Sequence, residues 1–196
     1  MTQTTPRPST VANSTATDST AARTGTAWIT GGALWLVAGL LHAGSGWRFD
    51  AAALAWFGAD LLVAAGIVGL LVLRPHGRSG IGAGALVVAL VARAAFAVGE
   101  ITSIIDGNDE GPLIPLGALL TAVAMTAYGI VVLRRHRKGG LNRWSFLAMG
   151  IYPFIAMFPV LAITGEPSDV LIALWGLPAA FIGFATRSVS MSMQAQ

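Results

Sequence analysis

The stretch Gly80-Ile-Gly-Ala-Gly-Ala-Leu-Val-Val-Ala-Leu-Val-Ala-Arg93-Ala-Ala-Phe-Ala-Val-Gly-Glu100-Ile-Thr-Ser-Ile-Ile105 decides how this chain is read. It exceeds the roughly 20 mainly apolar residues that cross about 30 Å of hydrocarbon. Arg93 and Glu100 are its only ionisable residues. A run of this kind predicts a helix, because every backbone polar group must find a partner inside the chain when no water is near.

Working outward, five more stretches meet the same length: Trp28 to Trp47, Ala51 to Leu73, Pro112 to Leu133, Trp144 to Thr164, and Ser168 to Ser188. The connections between them are too short for a separate soluble domain. The expected fold is all-α, a polytopic transmembrane bundle of six spans over residues 27–188. Composition agrees: 11% of the chain is charged, against about 25% in a soluble domain.

The charges between spans are sorted by sign. With the N-terminus inside, the inner pieces hold Arg7, Arg23, Arg74, Arg78, Arg134, Arg135, Arg137, Lys138, Arg143 and Arg187, ten of the twelve basic residues. The outer loops hold Asp50, Asp106, Asp109, Glu110, Glu166 and Asp169, with Arg48 their one cation. Lys and Arg concentrate in short cytoplasmic loops, so both termini are expected in the cytoplasm of a multi-pass cell-membrane protein. Trp28 and Trp144 are expected at the inner interface, Trp47 and Trp56 at the outer one, and Trp35 and Trp175 in the packing. Residues 1–26, rich in Thr, Ser and Ala, read as a disordered cytoplasmic tail, and 189–196 as a second short tail. Cleavage after a signal peptide is disfavoured, because the n-region is long and weakly basic.

The chain has no cysteine, which removes disulfides, thiolate nucleophiles and thiol-bound metals. Topology accounts for the pI near 10.2, so nucleic acid is not an expected partner. The expected partner is the bilayer, with anionic headgroups at Arg134, Arg135, Arg137 and Lys138.

Four ionisable residues fall inside predicted spans: His42, Asp60, Arg93 and Glu100. Such charges are costly in hydrocarbon and face the bundle interior. At about 1.5 Å per residue, His42 and Glu100 lie roughly 7 Å from the outer boundary, Asp60 roughly 13 Å and Arg93 roughly 18 Å. Asp60 is the expected partner of Arg93, although their side chains lean apart along their helices and leave a gap. Two readings stay open. One is an outward-facing polar site that binds or passes a small solute or proton; the other is a structural ion-pair network in a membrane scaffold or accessory subunit.

Catalysis is the weaker expectation. Ala43-Gly-Ser-Gly46 lacks the leading glycine of the intramembrane serine-protease pattern, and no second intramembrane His supplies a base. A lone His42 disfavours bis-His haem, and His42, Asp60 and Glu100 carry no metal-ligand spacing. No catalytic residue, metal or cofactor is assigned. Pro153, Pro159 and Pro178 predict kinks in the last two spans, either hinges of a binding site or ordinary features of membrane helices. Gly80, Gly82 and Gly84 offer a small-residue face for packing within the chain or in a homo-oligomer. Gly69 to Gly80 echoes Gly129 to Gly140, as two helix ends with the same stop-transfer chemistry would.

The segment Gly150-Ile-Tyr-Pro-Phe-Ile-Ala-Met-Phe-Pro-Val160, with Thr164-Gly-Glu-Pro-Ser168 and Trp175-Gly-Leu-Pro178, resembles six-span integral membrane proteins of high-GC actinobacteria. The resemblance implies the fold and a bacterial cell membrane. It brings no activity with it.

Overall fold

The computed structural model describes residues 8–45, 49–106, 111–135 and 143–194. They form α1 (Pro8–Ser45), α2 (Phe49–Leu73), α3 (Gly80–Asp106), α4 (Leu113–Arg135), α5 (Trp144–Tyr152), a π-helical turn (Pro153–Met157), α6 (Phe158–Thr164), α7 (Asp169–Leu174) and α8 (Gly176–Gln194). Six segments are long and apolar enough to cross a membrane: Asp18–Gly44, Ala51–Leu73, Gly80–Asp106, Leu113–Arg135, Trp144–Thr164 and Asp169–Arg187. The all-α six-span reading holds. Trp47, Asp109, Glu110, Arg137 and Lys138 lie outside the described residues.

Each span packs on the next, and the last closes on the first: α1 meets α2, α2 meets α3, α3 meets α4, α4 meets α5, α5 meets α8, and α8 with α7 returns to α1. The closing seam is made of glycine. Gly25, Gly32 and Gly39 recur every seven residues on α1 and face Gly183, Gly176 and Ala173. A Cβ on Gly32 would stand 2.5 Å from the Gly176 carbonyl oxygen, and one on Gly183 would stand 2.5 Å from that of Gly25. Lipid offers no hydrophobic drive between helices, so close backbone approach of this kind supplies the dispersion contact.

The seam corrects two expectations. The first helix starts at Pro8 rather than near Trp28, and Ala21 and Thr24 are buried, so residues 8–26 are not a disordered tail. Likewise α8 continues through Ser188 to Gln194. Ala, Thr and Gly carry little apolar signal, yet they let α1 lie against α2 and α8. Because the span begins earlier, Trp28 is deep in the bundle, fully buried beside Gly66 rather than at an interface. Trp56 is also buried; Trp144 is 48% exposed, and Trp35 and Trp175 pack inside as expected. Gly80 and Gly84 face open space; only Gly82 is packed, against His76.

The fifth span differs from the others. Its apolar window is 22% buried, where the other five run from 39% to 50%, and no residue of α6 is buried. Proline is the cause. Pro153 cannot donate to the carbonyl of Met149 four residues back, and Pro159 cannot donate to Ile155. The chain answers with the π-helical turn, closed by the Phe158 N–H on the Pro153 carbonyl, and α6 leaves the bundle wall.

Candidate functional site

The four intramembrane ionisable residues separate into two places. Arg93 donates through Nη1 to Asp60 Oδ1 at 2.7 Å, and both side chains are sealed from solvent. There is no gap between them. The tilt of the two Cα–Cβ bonds is real, but the long guanidinium arm spans it. Arg93 also lies 4.4 Å from the Trp175 ring centroid, 5.0 Å from Trp35 and 5.7 Å from Phe96. The pair thus ties α2 and α3 to aromatic rings of α1 and to the break in the last span. Asp60 Oδ2 and Arg93 Nε have no hydrogen-bond partner among the described residues. Beside Arg93 there is only about 10 Å³ of free space, too little for a solute, since one water needs about 10–15 Å³.

His42 and Glu100 occupy a different place. They line a cavity of about 350 Å³ at the acidic end of the bundle. Neither Asp60 nor Arg93 reaches it. Its inner wall includes the same three rings, Trp35, Phe96 and Trp175, with Trp56 beside His42. Its outer wall is Met157, Phe158 and Leu161, where α6 splays from the bundle. Proline in the fifth span is therefore what opens the space.

Asp169 enters the site from the start of α7, its Oδ2 3.8 Å from His42 Nε2. The sequence counted it as a loop charge. Its position follows from local chemistry: the Ser168 side chain caps α7 by accepting from the Leu171 N–H, and an acidic residue in the first turn suits the positive end of the helix. Glu100 is 4% exposed, one helical turn from Phe96 on the inward face of α3. Trp56 is 7% exposed and keeps a buried indole N–H without a partner among the described residues.

Two carbonyls left without helical donors at these breaks accept from side chains instead. Trp175 Nε1 donates at 2.9 Å to the Met149 oxygen that Pro153 leaves without a helical donor. At the α7–α8 junction the Trp175 backbone N–H reaches Ile172, so Leu171 loses its donor four residues on, and the Tyr152 hydroxyl replaces it at 2.9 Å. Trp35 Nε1 donates to Ile172 at 2.8 Å. Pro178, in the first turn of α8, cannot donate to Leu174, which fits the break at Trp175. Thus the tryptophans expected only to pack also carry the hydrogen bonds of a discontinuous backbone.

At the basic end a second feature lies outside the sequence reading. The loop after α2 turns through Arg74 (φ 51°) and Gly77 (φ 60°) and tucks His76 into the bundle, 3% exposed, edge-on to Tyr128 at 5.8 Å. Burial, then the charges of Arg135 and Arg74, hold the His76 imidazole below its ordinary value. Among the described residues no group of three or more His, Asp or Glu side chains is placed to hold a metal ion. No protein-family model, curated protein or solved structure matches this chain.

Proposed function

We propose that this is a bacterial cell-membrane protein that binds a small solute in the cavity at the acidic end of its bundle, from the outer side of the membrane. The cavity itself carries the reading. A volume of about 350 Å³ falls within the range of small-molecule pockets, and mostly apolar walls with a few convergent polar groups are their usual make-up. His42, Glu100 and Asp169 are those groups. The outer location rests on the charge bias: Arg74, Arg78, Arg134, Arg135, Arg143 and Arg187 share the other end, which the positive-inside rule assigns to the cytoplasm. Anionic headgroups meet Arg134 and Arg135 there. In this reading Asp60 and Arg93 are the frame of the site and not its lining.

Native mass spectrometry of protein released gently from its own membranes tests the reading, wild type beside Ala118→Phe. Ala118 lines the cavity and is otherwise buried, so the larger ring occupies the space. The expected result is a small-molecule adduct on wild type that Ala118→Phe loses. Retention of the same adduct by the variant, or no adduct on wild type, contradicts the proposal.

A further inference from the structure

The cavity is incomplete on its membrane side, and α6 is the reason. Its main packing partner among the described residues is the π-helical turn before it. Leu161, Ala162, Ile163 and Thr164 are all exposed, and at about 3.6 residues per turn they make more than one full turn. That turn therefore has no face packed on the bundle. Leu161 of α6 and Pro115 of α4 both line the cavity and are both exposed. Because α6 ends the apolar span Trp144–Thr164, hydrocarbon rather than water lies beside this gap. From these observations we infer that the ligand is a small single-chain amphiphile that enters from the bilayer between α4 and α6. The inference rests on the cavity being a solute site.

Depth sorts the cavity wall. Trp35 and Phe96 stand well inside their helix ends at Ser45 and Asp106, which places both roughly 15 Å deep at about 1.5 Å per residue. Glu100 lies roughly 9 Å deep on the same scale. His42 is in the last turn of α1, and Ser168 and Asp169 are at the start of α7. Polar groups thus gather toward the mouth and aromatic ones at the floor. The depth of roughly 15 Å is that of one leaflet, where the whole hydrocarbon is about 30 Å thick. An alkyl chain fits the floor, and a hydrogen-bonding end meets the polar groups.

Size and placement favour one chain over a whole lipid. The volume of about 350 Å³ is near the lower end of the range for ligand pockets, about 300–1,000 Å³. Glu100 and His42 line the cavity itself, so the polar end of the ligand is drawn in with its chain, whereas the headgroup of a two-chain lipid stays at the interface. Charge does not decide the class. His42 faces Asp169 at 3.8 Å and Glu100 is likewise partnered, so an uncharged hydroxylic end suffices. Lipid is as apolar as the cavity floor, so preference for the site comes from contact with the rings and from that polar end.

Photo-crosslinking tests this with full-length protein in phosphatidylcholine vesicles. One set of vesicles contains a monoacylglycerol with a diazirine near the end of its chain; in the other, a phosphatidylcholine carries the same chain. Labelled residues are mapped by mass spectrometry. The monoacylglycerol is expected to mark Trp35 and Phe96 at the floor, and phosphatidylcholine to mark lipid-facing residues such as Val91, 61% exposed on α3, without the floor. Ala118→Phe, which fills the cavity, and Leu161→Trp, which narrows the gap from an exposed position outside the packed bundle, are each expected to lose most floor labelling and keep that of Val91. Floor residues marked by neither probe in wild type, marked equally by both, or marked undiminished in both variants overturn the amphiphile assignment. A water-soluble adduct in the native mass spectrum that Ala118→Phe loses would overturn it too and leave the solute site standing, whereas no adduct and no floor labelling overturn both.

Discussion

Replacing Arg93 by Met removes the only hydrogen bond that the described residues make to the Asp60 carboxylate and strips a cation from three aromatic rings. Asp60 is fully enclosed, so no water replaces the lost donor. Breaking a buried pair from one side costs about 3–5 kcal/mol. The lost ring contacts add about 1–2 kcal/mol where the cation is desolvated. Arg93→Met is therefore expected to lose about 4–7 kcal/mol, enough to unfold a marginal bundle. Asp60→Val alone leaves a buried guanidinium and costs about 3–5 kcal/mol. The double variant Asp60→Val/Arg93→Met buries no charge and is expected within about 2 kcal/mol of wild type, since apolar groups of similar volume often replace such pairs without loss. Reversible unfolding in mixed micelles by SDS titration, followed by tryptophan fluorescence, reads all four proteins. A double variant no more stable than either single, or an Arg93→Met loss below about 1 kcal/mol, refutes the assignment of this pair to the frame.

Three further outcomes follow from the same packing. Gly32→Ala forces α1 away from α8 and is expected to cost about 1–3 kcal/mol in the same titration, whereas Gly84→Ala, which meets nothing within 4 Å, stays within about 0.5 kcal/mol. Trp175→Phe leaves the buried Met149 carbonyl without its donor and is expected to cost about 1–3 kcal/mol; a loss no greater than that of Trp144→Phe would refute the role given to the indole N–H. His76 titrates below its ordinary value near 6.5 in the folded protein, so on acidification the unfolded chain takes up the proton first and stability falls as pH drops through that value. The melting temperature is expected to drop more for wild type than for His76→Phe between pH 7.5 and 5.5, and parallel drops would contradict the burial of a neutral imidazole.

Apolar length and charge sorting made the six-span bundle readable, because hydrocarbon thickness constrains each segment almost independently of the others. The N-terminal half-turns of α1 were not readable. Thr24 packs on Gly69 of α2 and Gly25 on Gly183 of α8, and a contact between two small residues leaves no periodic apolar signal in either. Partnership of Asp60 with Arg93 followed from depth alone, but the expected gap did not survive, since Cβ direction says little about where a four-bond side chain ends. His42 and Glu100 line one cavity. Their separation from Asp60 and Arg93 depended on Trp35, Phe96 and Trp175 meeting between them, a three-body contact across α1, α3 and the last span. Pro153 was visible as a kink, whereas the indole that satisfies Met149 comes from 26 residues away, beyond the reach of local pattern. Asp169 was the recoverable miss: Ser168-Asp169 before Val170-Leu-Ile is a helix-start signature, and it fixes the carboxylate at the cavity rim.

The central proposal is a solute cavity that opens on the outer side of the membrane. Because the chain has no native cysteine, a single Ile172→Cys in the cavity wall gives an unambiguous reporter. Intact cells are treated with a membrane-impermeant thiosulfonate, and the labelling rates with and without Ala118→Phe are compared. The account predicts labelling from outside without permeabilisation, and slower labelling once Ala118→Phe fills the cavity. Labelling only after the cells are opened, or a rate unchanged by Ala118→Phe, would contradict it.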